Sequence, residues 1–254
     1  MNANNINSNN FNENQLAYLD AMQKVSLNQV EMIKRGHRGA KLTEYLAGLP
    51  NKGQLNSLQR EILIGAMLGA GTLRKGDGAV NVSFKLDLAI QSKEVVEFVY
   101  LIFQDLVGSP PRIQRRADGR ASLWFRTYRL PELRHWQNIF YTVNAKGDLV
   151  RVIPDLLHRW ITPLSLAIWF MDDGSKDATG GYYLHTQCFT LGEAKKLQQI
   201  LGNLFHLEVT VHKDKKYHRL YILKSNISKF NALVEPFIFP CMRYKLHTSI
   251  TRDT

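Results

Sequence analysis

The sequence predicts an α+β protein built from two pseudo-symmetric halves, and three observations carry that expectation. The order helix, strand, helix, strand, strand, helix can be read twice along the 254 residues. Each half opens with an apolar helix that stops at a glycine. The first reads Leu63-Ile64-Gly65-Ala66-Met67-Leu68-Gly69-Ala70-Gly71 and the second Leu166-Ala167-Ile168-Trp169-Phe170-Met171-Asp172-Asp173-Gly174. Laid over each other, they match Gly71 with Gly174 and Ala70 with Asp173. Finally, Gly65 and Gly69 lie four apart on one helical face, beside Ala66 and Ala70, so another backbone can approach closely there. The helix ending at Asp173 is the expected partner, which sets the two helix ends side by side.

Residues 1–14 are rich in Asn and lack the apolar run of a signal peptide, so a disordered tail is expected. An N-terminal helical extension over 15–56 follows, with helices at 15–34 and 41–47. Between them lies the basic stretch Lys34-Arg35-Gly36-His37-Arg38, which suits either a solvated loop or an arm against phosphates. Pro50-Asn51-Lys52-Gly53 reads as a linker. The first half, 57–150, begins with a helix at 57–69. From Val80 to Ile90, apolar residues alternate with Asn81, Ser83, Lys85, Asp87 and Ala89. That period of two predicts a strand with one buried and one wet face. Ser92 is placed to cap a helix reaching 107, and Pro110-Pro111 terminates it. Asp118-Gly119 predicts a hairpin turn between strands 112–116 and 120–127, and a helix over 131–141 closes the half.

The second half, 151–254, repeats the order with a helix at 163–173 and a strand at 182–189. Thr190 and Glu193 form a capping box that starts a helix to 205. Strands 208–213 and 217–223 pair across Asp214-Lys215-Lys216, and Ser225 caps a last helix to 234.

Lys and Arg outnumber Asp and Glu by 33 to 22, a net charge of +11. Such an excess favours a polyanionic partner, above all nucleic acid, because neutralising phosphates supplies much of the binding energy. The two cysteines, Cys188 and Cys241, are too few and too far apart for a disulfide framework or a zinc cluster, and fit a reducing compartment. No apolar run is long enough to cross a membrane. Asp172 and Asp173 stand in the last turn of their helix, at the negative end of its dipole. Carboxylates held against the local field point to a bound cation.

Taken together, these features resemble the LAGLIDADG homing endonucleases, of the single-chain, intron-encoded type with two motif helices. The likeness rests on Thr162-Pro163-Leu164-Ser165 running on through the second helix to Gly174-Ser175-Lys176. Thr186-Gln187-Cys188-Phe189-Thr190, Ile153-Pro154 and Met242-Arg243-Tyr244-Lys245-Leu246 add to it. It covers residue 57 to the C-terminus and leaves 1–56 outside. The resemblance implies two αββαββα halves whose antiparallel, saddle-shaped sheets lie in the major groove of a long, asymmetric site on double-stranded DNA. It implies a monomer. It also implies Mg²⁺, or another divalent cation, held by the acid at the base of each motif helix over the scissile phosphates. Asp173 matches the catalytic acid. Lys245 and Arg151 match the basic positions beside the metal, where Arg151 would act as an electrostatic clamp because a guanidinium does not deprotonate. The compartment stays open between an organelle, for an organelle-encoded gene, and the cytoplasm.

Ala70 departs from the family pattern, which has an acid there. A methyl group binds no metal, so the first helix end offers at most backbone carbonyls, of Ala70 or Gly69. Three accounts stand. A deliberate Asp-to-Ala replacement would trap an uncleaved complex, and the otherwise intact motif favours it. A naturally degenerate chain would bind DNA or serve as an intron maturase. An enzyme keeping Asp173 alone would nick one strand. Asp172, about 100° around the helix from Asp173, is expected to point elsewhere.

Sequence readout would fall to the sheet faces. The candidates are Asn81, Ser83 and Lys85; Arg112, Gln114 and Arg116; Arg120, Ser122, Trp124 and Arg126; and, in the second half, His185, Gln187, Thr210 and His212. Arg to guanine and Asn or Gln to adenine are the favoured major-groove pairings, and a two-stranded ribbon fits that groove. The rival readings are a maturase that binds intron RNA and a non-cleaving DNA-binding protein on the same fold.

Overall fold

A computed structural model describes residues 13–247. Residues 1–12, which make up most of the expected tail, lie outside the described residues, as do 248–254. Helix α1 spans Glu13–Ser26, so it takes in the end of that tail and stops well short of 34. The stop is local: Asn28 turns the chain in a left-handed conformation (φ 55°), which Asn tolerates better than most residues. Tyr18, Ala21 and Val25, on one face of α1, are buried. Helix α2 (Gly39–Gly48) buries no residue.

The two halves then follow. Helix α3 (Ser57–Leu68) is opened by a capping box between Asn56 and Gln59. After it come β1 (Thr72–Lys75), β2 (Val82–Ala89), α4 (Lys93–Phe103), β3 (Arg112–Arg115), β4 (Ala121–Arg126) and α5 (Pro131–Phe140). A hairpin of β5 (Tyr141–Val143) and β6 (Leu149–Arg151) leads to α6 (Pro163–Asp173). The second series continues with β7 (Gly174–Lys176), β8 (Tyr182–Leu184), α7 (Leu191–Phe205), β9 (Val209–Asp214), β10 (Tyr217–Ile222) and α8 (Ile227–Val234). Two four-stranded antiparallel sheets result, ordered β1-β2-β4-β3 and β7-β8-β10-β9. Element for element the two orders coincide, so the repeat read in the sequence is a repeat of topology.

Several local expectations are corrected. Strands β1 and β7 and the β5–β6 hairpin give no sequence signal because three or four residues are too few to show a period. Strand β2 starts at Val82, and Val80, expected inside it, is 63% exposed. Strand β8 ends at Leu184 rather than 189, because the chain turns at Gln187-Cys188, where the Phe189 N–H returns to the Thr186 carbonyl (3.0 Å). Ser92 and Ser225 sit at or in 3₁₀ turns before α4 and α8 and make no capping bond to them. Thr190 and Glu193 do form the full capping box of α7.

The core is continuous across both halves. Phe84, Tyr100, Phe103 and Phe125 fill the first, and Phe170, Tyr182 and Phe230 the second, with ring centroids 4.8–6.3 Å apart. Between them α3 packs on α6. A methyl on Gly65 would overlap the Ser165 carbonyl oxygen and come 2.7 Å from Ile168 Cβ, so glycine there sets how closely the helices approach. The helix-end glycine Gly174 is needed for a different reason than its position suggests. Its φ of −97° is open to any residue, but a Cβ would run into the Phe170 ring.

Candidate catalytic centre and nucleic-acid interface

The tips of α3 and α6 meet, and each is closed by a cation from elsewhere in the chain. Arg151, at the end of β6, donates from Nη1 to the Gly69 carbonyl and from Nη2 to that of Gly71 (2.6 Å). Lys245, in the 3₁₀ turn Pro240–Lys245, donates from Nζ to the carbonyls of Met171 (2.6 Å) and Asp172 (3.2 Å). The last carbonyls of a helix lack partners within it and carry the negative end of its dipole, so a cation satisfies both needs. Arg151 and Lys245 thus play equivalent parts at equivalent ends.

The acids are not equivalent. Asp173 is the last residue of α6 and is half-buried. Among the described residues no donor hydrogen-bonds its carboxylate, and burial raises its pKa although His185, Lys245 and Arg151 oppose the rise. Asp172 points elsewhere than Asp173, as its place on the helix suggested. Its carboxylate crosses to α3 and accepts the backbone N–H of Ala70. It fills the space beside Gly69, where a methyl would come 2.9 Å from its Cγ. Burial, then the charge of Asp173, pushes the Asp172 pKa up to about 7, against the pull of the Ala70 N–H, Lys245 and Arg151. Lys245 is lowered by burial, with the two Asp charges opposing.

No group of three or more His, Cys, Asp or Glu among the described residues could hold a metal ion alone. A carboxylate without a protein donor, at a tip where charge is crowded, fits a hard cation that takes its remaining ligands from water and phosphate. At the first tip the only carboxylate among the described residues is that of Asp172, already bonded to the Ala70 N–H. Ala70 has none in its side chain, and the Gly69 carbonyl is occupied by Arg151.

Cross-strand register assigns the outer face of the first sheet. Lys85 stands opposite Thr72 and Arg126, Asp87 opposite Trp124, Arg112 opposite Trp124, and Gln114 opposite Ser122. Arg112, Gln114 and Arg126 are exposed. The Trp124 ring lies between Lys85 (Nζ 4.8 Å from its centroid) and Arg126 (5.7 Å). Lys85 is also paired with Asp87 at 2.7 Å.

The remaining candidates of this half lie less simply. Asn81 sits in the bend before β2. Ser83 is on the polar face but only 3% exposed, its hydroxyl donating to the Arg74 carbonyl (3.3 Å), because β1 covers it. Ser122 is 8% exposed, and its hydroxyl has no partner among the described residues. Arg116 and Arg120 belong to the turn beyond the strands, where Arg120 is tied to Asp118 at 2.6 Å.

The second face carries more rings and fewer charges. His212 stacks on Tyr221 (4.8 Å) and shares a hydrogen bond with Thr210 (3.0 Å). Arg219, opposite His212, lies over the Tyr183 ring at 3.8 Å. His185 and Gln187 follow β8 rather than lie in it. His185 Nε2 meets the Ser175 hydroxyl (3.0 Å), and Gln187 donates to Asp214 (3.1 Å). Burial lowers the pKa of His185, although the neighbouring Asp173 raises it. Tyr183, Arg219 and Tyr221 are absent from the sequence-based candidates. Leu220 and Ile222 are the buried residues of β10, so period two alone would put Arg219 and Tyr221 on the outer face. The role of Asp172 is hidden from the sequence because the clue to it, a side-chain-free gap at Gly69, lies on the other helix.

Comparison with known proteins agrees with this geometry. Residues 60–230 match the LAGLIDADG DNA endonuclease family. Probable intron-encoded endonuclease 1 of Wickerhamomyces canadensis is 28% identical over 233 residues, covering 89% of this chain and 98% of that one. Cytochrome b mRNA maturase bI2 of Saccharomyces cerevisiae is 28% identical over 207 residues, 77% of this chain and 49% of the maturase. Among solved structures, that of the homing endonuclease I-WcaI bound to its DNA recognition sequence superposes with a TM-score of 0.74 at 26% identity, covering 89% of this chain and 99% of that one. The chain therefore belongs to the LAGLIDADG DNA endonuclease family.

Proposed function

We propose that this chain is a monomeric, site-specific binder of double-stranded DNA that holds a long asymmetric site against its two sheets, with the scissile phosphates at the tips of α3 and α6. The observation that carries the reading is the matched pair of cation-closed helix ends, one bearing the free carboxylate of Asp173. The chain divides, on this reading, into an extension before residue 57, a first half to 150 and a second from 151. The I-WcaI complex supports the partner, and the intron-encoded relatives support an organelle-encoded origin.

Mg²⁺, the ion expected of the family, would be held by Asp173 and would supply charge neutralisation and an activated water when bound. The chain's own residues do the rest. Asp173 would offer its carboxylate to that cation. Lys245 and Arg151 keep positive charge within reach of both strands while holding the helix ends in place. Arg112, Gln114, Arg126 and Trp124 offer donors and a stacking surface to base edges.

With Ala70 at the first tip, the only carboxylate there among the described residues is that of Asp172, which is tied to the Ala70 N–H. Hydrolysis of both strands is therefore lost, or reduced to a nick through Asp173. A second reading, an RNA maturase, is favoured by Ala70 and by the similarity to maturase bI2, since stabilising a folded intron needs no catalytic acid.

The test is selection of binding sequences from a randomised duplex pool, followed by competition with folded intron RNA. Enrichment of one long asymmetric sequence, not displaced by the RNA, is the expected result. No enrichment, together with tight RNA binding, would replace the first reading by the second.

A further inference from the structure

The basic stretch at 34–38 lies outside both sheets and has no part in the site described above, yet it is firmly placed. The N–H groups of Arg35 and Gly36 both donate to the Gly108 carbonyl at 3.1 Å. The Arg35 guanidinium donates to the Gln104 carbonyl (2.7 Å) and pairs with Asp105 (3.1 Å). The backbone N–H of Ile33 donates to the Tyr100 hydroxyl (3.0 Å). The ring of His37 stacks on Tyr45 at 4.4 Å, and the Tyr45 hydroxyl donates to the Asp105 carbonyl (2.9 Å). One cation of the stretch is thus committed to anchoring.

Three others are not. Lys34, Arg38 and Lys41 are exposed, and among the described residues their side chains make no hydrogen bond or ion pair. Only Glu31 and Glu44 oppose them locally. The anchor point also fixes where they stand. Gly108 packs on Tyr128, a Cβ there coming 2.8 Å from its ring, and Val107 bridges to Thr127, just past the end of β4 at Arg126. Gly108 also leads through Pro110-Pro111 into Arg112, the first residue of edge strand β3. The anchor therefore sets the basic stretch beside the end of β4 and the connection into Arg112.

On a fixed backbone only side-chain freedom is lost when an unpaired lysine or arginine meets phosphate, and each phosphate neutralised releases counterions. We propose that segment 33–41 is a phosphate-binding arm, in which Lys34, Arg38 and Lys41 contact the backbone of duplex DNA beyond the stretch covered by the first sheet. The inference rests on the reading of the chain as a DNA binder and adds to it a contact that carries no sequence information.

The test compares the full chain with its K34Q/R38Q/K41Q variant on a mixed-sequence duplex of about 40 base pairs, by anisotropy across a KCl series. All three positions are exposed, so thermal melting of the variant should match the parent. The expected result is weaker binding to every duplex and a plot of log affinity against log salt shallower by about 2 to 3, near 0.9 for each phosphate that the variant leaves unneutralised. An unchanged slope overturns the arm. So does an unchanged slope on DNA with weakened binding of a folded RNA hairpin, which would assign the arm to RNA. If the parent itself fails to bind the duplex, the proposed function falls rather than the arm alone.

Discussion

The carboxylate of Asp172 accepts the backbone N–H of Ala70, so a residue of the second motif helix is tied to the end of the first. The bond has room only because Gly69 has no side chain. It makes the paired tips asymmetric. Both nearby carboxylates come from α6, one turned to α3 and one left free of protein donors.

The close approach of α3 and α6 predicts that small-to-large changes along it are costly. Gly65→Ala should destabilise by about 1–3 kcal/mol in chemical denaturation, since the added methyl meets backbone at Ser165. Gly69→Ala should cost less in an Asp172→Gly background than alone. Strictly additive costs would show that the two residues do not share the space described.

The raised pKa of Asp172 predicts the direction of a pH dependence. An acid whose folded pKa lies above its unfolded value binds more protons when folded, so stability falls as pH rises from about 4 through about 7. Asp172→Asn keeps an oxygen for the Ala70 N–H and removes the charge. Denaturation midpoints of that variant should vary less across this window than those of the parent. Equal slopes would contradict the burial assigned to Asp172.

Helix α1 is expected to hold the two halves together. Tyr18 is fully buried, packs on Phe98 at 4.6 Å and donates its hydroxyl to the Phe237 carbonyl. Tyr18→Phe leaves that carbonyl without its donor, and a loss of about 1–3 kcal/mol should follow. Thr190→Ala, which opens the capping box of α7, should cost about 1 kcal/mol. A Tyr18→Phe variant as stable as the parent would show that the hydroxyl bond contributes nothing.

Lys245 and Arg151 should act on the site through charge as well as structure. Lys245→Met removes the donor to the Met171 and Asp172 carbonyls and a charge that favours ionised Asp172 and Asp173. The pH dependence of divalent-ion binding, followed with Mn²⁺ in place of Mg²⁺, should shift to higher pH in that variant. A shift to lower pH would reverse the sign of the coupling argued here.

Much of this fold is legible in the sequence because its signals are long. The repeated order of elements, the two apolar helices and the small-residue face at Gly65 and Gly69 each extend over many residues, and the structure bears them out. What is not legible depends on contacts between distant parts. Ser83 alternates like an exposed residue but is sealed by β1, and α1 ends at a turn set by Asn28. The helix-end glycine at 174 is required by the ring of Phe170, which no local rule supplies. At the tips, sequence likeness singles out Asp173, Lys245 and Arg151, but the role of Asp172 emerges only once Gly69 faces it.

The central claim is that the paired tips form one centre lacking a single acid at position 70. It is tested most directly by cleavage of the duplex selected by the parent chain, using Ala70→Asp with Mg²⁺. The account predicts that the parent leaves that duplex whole or nicked, and that Ala70→Asp cuts both strands. Full double-strand cutting by the parent, or none by a folded and DNA-bound Ala70→Asp chain, would contradict it.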